Sequence, residues 1–252
     1  MQACLVRHMF SRMSEKRSVT KTSAQDATPA RSSAREVEAF LRQAKAVVQQ
    51  GDAARMILAL DATMSRQPTW DLACQLQGQM FDAVGRSGAL NVQLVYFRGF
   101  GECRASRFVS DTDALKQLMT RIDCRAGHTQ VGKILTHALK QTGEAKVSAI
   151  VYIGDAFEEA IDDLAQKAGK LGILGVPVFV FQEGRDVNAE RAFKEIARLT
   201  RGAWFRFDRD AAATLARLLA SVAVFATGGL KALEARGRAE DRMMIEHLTG
   251  RR

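Results

Sequence analysis

The chain has little proline, few aromatics and widely scattered cysteine: three prolines, 7% aromatic residues and four cysteines in 252 residues. Cys4, Cys74, Cys103 and Cys124 contain no CxxC pair, which excludes the common structural zinc sites and makes a disulfide scaffold unexpected. A reducing compartment fits them best, and a cytoplasmic location is expected. No run approaches the ~18–20 consecutive apolar residues that span a bilayer, so no membrane association is expected. The longest apolar stretches, around Val147–Tyr152 and Ile173–Phe181, are strand-sized. Met1–Phe10 is short and broken by Arg7 and His8, which argues against a secretory leader. There is no Walker-type or dinucleotide glycine loop, and no repeat of 20 to 50 residues.

The composition that remains is 47% apolar and 26% charged, that of a folded domain. The net charge is +9 and unevenly placed. Residues 1–35 hold seven basic side chains against two acidic ones, so more than half of the excess sits in the head. That head is rich in serine, threonine and arginine, which superficially suits a mitochondrial presequence. The simpler expectation is a disordered basic tail over residues 1–32, with translation starting at Met13 as an alternative.

Ser33-Ala-Arg-Glu36 is a capping-box pattern, and apolar residues at helical spacing follow it, so residues 33–52 are expected to form a helix. Met56–Leu60 is a short apolar run that stops at Asp61 and reads as a buried strand. Pro68-Thr69 starts a helix with Trp70, Ala73, Cys74, Met80, Phe81 and Val84 on one face. Asn91–Phe97 and Cys103–Val109 flank a turn at Gly99-Phe-Gly101, a spacing that allows a hairpin with one antiparallel strand. Helices are expected over Asp111–Ile122, Thr129–Gln141, Ala160–Leu174, Asn188–Thr200 and Ala211–Phe225. Strands are expected over Val147–Ile153, Val176–Phe181 and Ala203–Phe207. Gly228–Arg252 reads as a charged helix interrupted at Gly237. This alternation predicts an α/β, doubly wound, mainly parallel six-stranded sheet, with the Cys103–Val109 strand antiparallel at one edge. The domain is placed at residues 53–226, with a helical extension over residues 227–252.

In such sheets ligands sit beyond the carboxyl ends of the strands. After the first strand stands Asp61-Ala-Thr63-Met-Ser65. Ala126-Gly-His-Thr129 precedes a helix, and Gly154-Asp155 follows the longest apolar strand. These loops hold two carboxylates and three hydroxyls, all hard oxygen donors suited to Mg²⁺ or Mn²⁺. With few protein charges around it, the ion would remain electrophilic, and an incoming carboxylate would complete its shell. Each residue also has an ordinary explanation. Asp155 with Glu158 three residues later fits a capping box, Thr129 suits a cap, and Glu158 and Glu159 suit a first helical turn.

The Asp61-Ala-Thr63-Met-Ser65 segment resembles the D-x-[ST]-x-S motif of von Willebrand factor type A domains. Gly127-His-Thr129 stands where that family has its metal-site threonine, and Gly154-Asp155 where it has its last aspartate. The resemblance covers about residues 53–226 and implies a metal-ion-dependent adhesion site. In it Thr63, Ser65 and Thr129 offer hydroxyls, while Asp61 and Asp155 offer carboxylates, some acting through water. The second hydroxyl is Thr63 rather than the commoner serine, and Ala156-Phe157-Glu158-Glu159 replaces the glycine of many relatives.

The resemblance implies a protein-binding module, not an enzyme, that captures an Asp or Glu of a partner. Bacterial cytoplasmic members often act beside AAA+ ATPases of the MoxR type, which makes such an ATPase a candidate partner. A second hypothesis is a metal-dependent hydrolase or phosphatase. His128 is the nearest base for it, but no nucleophile–base pair is readable. The D-x-D of aspartyl-phosphate phosphatases is missing, since Thr63 stands at its second carboxylate. A third is weak nucleic-acid binding through the basic head and tail, against which stands the absence of any nucleic-acid motif or aromatic platform.

Overall fold

A computed structural model of the chain describes residues 53–66, 71, 78–84, 90–208 and 212–250. The basic tail, the helix expected at residues 33–52 and much of the helix expected from Pro68 lie outside them.

The sheet is built from β1 (Ala54–Asp61), β2 (Leu90–Arg98), β3 (Glu102–Val109), β4 (Ala149–Gly154), β5 (Val178–Glu183) and β6 (Ala203–Phe207). Their order is β3-β2-β1-β4-β5-β6. All neighbours are parallel except β2 and β3, which pair antiparallel with an irregularity between Gln93 and Val95. The hairpin and the antiparallel edge strand therefore stand as the turn spacing predicts. The helices are α1 (Gly78–Val84), α2 (Thr112–Met119), α3 (Val131–Glu144), α4 (Ile161–Ile173), α5 (Val187–Thr200), α6 (Ala212–Arg236) and α7 (Ala239–Thr249).

Both sheet faces are covered, which is why the strands carry apolar runs rather than alternation. Met56, Leu58, Leu60, Val151, Ile153, Phe179 and Phe181 point to one face, where Met80 and helices α2, α6 and α7 pack. Ile57, Ala59, Val95, Phe97, Ile150, Tyr152, Val178 and Val180 point to the other, against α3, α4 and α5. The period of two along each strand separates the two cores.

Helix α6 shows why composition alone misleads. Its Ala213–Arg236 segment is long and apolar enough to cross a membrane by length and composition. Here Leu215, Leu218, Leu219, Val222 and Ala223 are buried in the core. Gly229 breaks the helical geometry at φ 65 and ψ −158, and Gly237, at φ 65, lets the chain turn back into α7. The break at Gly237 is the one the sequence predicts. A buried polar cluster fastens this turn. Asp241 is fully buried and accepts from Arg236 Nε at 2.8 Å, Ser221 Oγ at 2.8 Å and Arg238 N at 3.0 Å.

Candidate metal centre

Parallel pairing of β1 with β4 puts Leu60 level with Ile153, so Asp61 and the Gly154-Asp155 pair leave the sheet side by side. Asp61 is 2% exposed, and its Oδ1 accepts from the Thr63 backbone N–H at 2.8 Å. That bond curls the chain directly after the strand into the short 3-10 turn Met64–Arg66. The curl brings the Thr63 and Ser65 hydroxyls within 3.4 Å of each other. Ser65 Oγ then donates to Asp155 Oδ2 at 3.0 Å. Asp61, Thr63, Ser65 and Asp155 thus form one continuous contact chain across the β1 and β4 loops.

Thr129 lies on the same rim but bonds elsewhere. Its hydroxyl accepts from Glu158 N at 3.0 Å, and its own N–H donates to Glu158 Oε2 at 3.2 Å. Glu158 follows Asp155 by three residues, so the Thr129 segment is tied to the β4 loop rather than directly to Asp155. Two further bonds hold that segment down: Arg125 N donates to Ala62 O at 3.0 Å, and His128 N to Gly99 O at 3.2 Å. Gly127 packs so tightly on Gly99 that a β-carbon would fall 2.1 Å from the Gly99 carbonyl oxygen.

Glu158 and Glu159 overturn the capping interpretation. Helix α4 starts at Ile161 behind Ala160, with no side-chain cap, so Asp155 is not its N-cap and neither glutamate lies in its first turn. Glu159 instead caps α3 across the fold. Its carboxylate accepts from Val131 N at 2.5 Å and Gly132 N at 2.9 Å. Burial pushes the Glu159 carboxyl up from its ordinary range, while those backbone N–H groups and Lys167 pull it back. Helix α3 needs this, because its own N-cap residue Gln130 makes no side-chain capping bond. Both glutamates support the Thr129 segment. Sequence spacing could not reveal this, since it pointed each acid at its own helix.

The donor set fits a hard divalent cation. Asp155 Oδ1 is buried and accepts no hydrogen bond. A desolvated carboxylate oxygen without a donor costs about 1–3 kcal/mol or more, and a cation removes that cost. Among the described residues no three His, Cys, Asp or Glu side chains group to hold a metal. A centre made of two carboxylates and neutral hydroxyls does not contain three such groups. His128 Nδ1 lies 3.0 Å from Glu158 Oε2, on the rim.

Solved structures similar to this chain include a von Willebrand factor type A protein from Catenulispora acidiphila, at TM-score 0.56 and 16% identity, covering 69% of this chain and 44% of that one. Another is proximal thread matrix protein 1 from the mussel byssus, at TM-score 0.56 and 15% identity, covering 68% and 46%. A form of that mussel protein with a zinc-occupied metal-ion-dependent adhesion motif matches at TM-score 0.52 and 14% identity, covering 68% and 48%. The chain therefore spans less than half the length of these structures. At such identities the likeness establishes the fold, which is that of von Willebrand factor type A domains. No protein-family model and no curated protein matches the sequence.

Proposed function

We propose that the chain is a divalent-metal-dependent protein-binding module. Asp61, Thr63, Ser65, Asp155 and Thr129 hold Mg²⁺ or Mn²⁺, and an Asp or Glu side chain of a partner completes the coordination. The observation that carries this reading is Asp155 Oδ1, a buried carboxylate oxygen without a donor at the end of a hydroxyl chain. The zinc-occupied motif of the mussel protein supports a divalent ion on this fold. Neutral hydroxyls leave the ion with unspent charge, so an external carboxylate is attracted electrostatically and no covalent step is needed. The reading is one of binding without turnover. It extends to a cytoplasmic adaptor or presenting subunit beside a AAA+ ATPase of the MoxR type, supported by the motif resemblance. Chelator-sensitive co-purification with such an ATPase is the check on that extension.

The decisive experiment is a melting curve with and without Mg²⁺. Wild type gains stability on Mg²⁺ addition, because an ion that binds only the folded state shifts the equilibrium by mass action. Asp155→Asn loses that gain. An Mg²⁺ shift that survives in both Asp155→Asn and Asp61→Ala rejects the metal site.

A further inference from the structure

We infer that the captured carboxylate stands alone among apolar neighbours: the rim around the metal centre is a landing surface for a protein segment with one acidic residue flanked by large apolar side chains. This inference rests on the metal-dependent binding proposed above and names the chemistry of its partner.

Among the described residues seven large apolar side chains are exposed, and four of them stand on the edge that carries the site. Met64, 61% exposed, sits in the turn after β1, between Thr63 and Ser65. Phe100, 82% exposed, is in the β2–β3 turn. Ile161, 41% exposed, opens α4 after β4, and Val187, 63% exposed, opens α5 after β5. The sheet order β2-β1-β4-β5 spreads them along one row, with Ser65 and Asp155 in its middle. Apolar residues scattered singly over a surface are ordinary. A row along the carboxyl edge of the sheet, around a polar centre, has the make-up of an interface.

Phe100 is also held in place. Arg98 pairs with Glu102 across the hairpin at 3.0 Å and with the Asp123 carbonyl at 2.8 Å. Gly99 O accepts from His128 N and from Gln130 Nε2, both at 3.2 Å, and Gly101 O accepts from Lys133 Nζ at 2.8 Å. The Phe100 ring meets the His128 imidazole edge-on at 5.1 Å. An aromatic group on an anchored turn loses little freedom on docking, the property of an interface hot spot.

On the β5 side of the centre, charge disfavours a second acid. Beside the centre is a recess of about 180 Å³ lined by Asp155, Glu183, Gly184 and Asp208. Acids next to the captured carboxylate would face these groups, and like charges brought together at an interface are repelled. Apolar neighbours meet no such opposition and cover Phe100 and Met64.

The test selects random peptides displayed on phage against the full chain in Mg²⁺. Enriched peptides are expected to carry one Asp or Glu with an aromatic or large aliphatic residue nearby. Phe100→Ser, at an exposed position, keeps its melting temperature and its sensitivity to EDTA but binds the enriched peptides about tenfold or more weaker. Enriched peptides with acids but no apolar neighbours, or Phe100→Ser binding within about twofold of wild type, overturn this inference and leave the metal reading intact. Enrichment that ignores both EDTA and Asp155→Asn sinks the metal reading itself. Failure to enrich any peptide overturns the inference as well.

Discussion

Replacing Glu159 with alanine tests whether the Thr129 segment is held by a cap from another part of the chain. In the wild type this carboxylate accepts from Val131 N at 2.5 Å and from Gly132 N at 2.9 Å. Alanine leaves both N–H groups at the start of α3 without their acceptor. Loss of a side-chain N-cap costs about 0.5–2 kcal/mol, and a buried unsatisfied donor about 1–3 kcal/mol. Against this stands the desolvation that raises the Glu159 carboxyl, a cost the variant escapes. The balance is a net loss of about 2 kcal/mol, or about 4–8 °C in melting temperature for a domain of this size. Glu159→Gln keeps one of the two acceptors, turns an NH2 toward the other N–H and gives up the charge facing the helix dipole, so it should lose at least half as much. The assay is thermal unfolding of the three proteins followed by circular dichroism, in metal-free buffer so that ion binding does not contribute. A Glu159→Ala protein that melts within about 1 °C of wild type would show that solvent or neighbouring groups cap α3 equally well and that Glu159 does not hold its start.

Two further outcomes follow from buried polar groups away from the site. Asp241→Ala leaves the Arg236 guanidinium, 15% exposed, without its carboxylate, and breaking such a buried pair costs about 3–5 kcal/mol. Urea titration should show a lower midpoint, and an unchanged midpoint would dismiss the α6–α7 cluster as a fastening. The second concerns pH. Burial pulls the His137 imidazole below its ordinary value of 6.5, with Lys140 acting in the same direction and Glu144 opposing. Its Nε2 meets Gln93 Oε1 at 2.8 Å, and Gln93 Nε2 donates to Ser106 O, so the neutral ring donates to Gln93. The unfolded chain protonates this histidine first as pH falls, so its contribution is fully present above pH 6.5 and declines below it. Melting temperature measured against pH should slope less steeply below 6.5 in His137→Ala than in wild type, and parallel slopes would exclude the histidine as the cause.

The parts of the fold that were legible in the sequence are those set by local periodicity. Runs such as Met56–Leu60 and Ala149–Ile153 are short and have no polar face, which suits a strand covered on both sides. The tight spacing around Gly99-Phe-Gly101 allows a hairpin, and β3 is antiparallel as expected. Helix α6 was legible in its first half, expected over Ala211–Phe225, whereas the structure carries it on to Arg236 across the break at Gly229. Of the candidate ligands, Asp61, Thr63, Ser65 and Asp155 stand at or just after the ends of β1 and β4, where a parallel sheet collects its loops, while Thr129 stands in the loop before α3.

What stayed out of reach was pairing between segments. Asp155 and Glu158 have the spacing of a capping box, yet α4 begins beyond them, and Glu158 turns to Thr129 and Glu159 to α3. The amino acids by themselves determined the strand and helix periods, the oxygen donors and their places in loops, because these depend on neighbours a few residues away. Tertiary structure alone decided that Ser65 meets Asp155 ninety residues on, that Glu159 caps a distant helix, and that four apolar side chains share one edge. Those contacts exist only once strand order is set, and strand order is a property of the whole packed sheet.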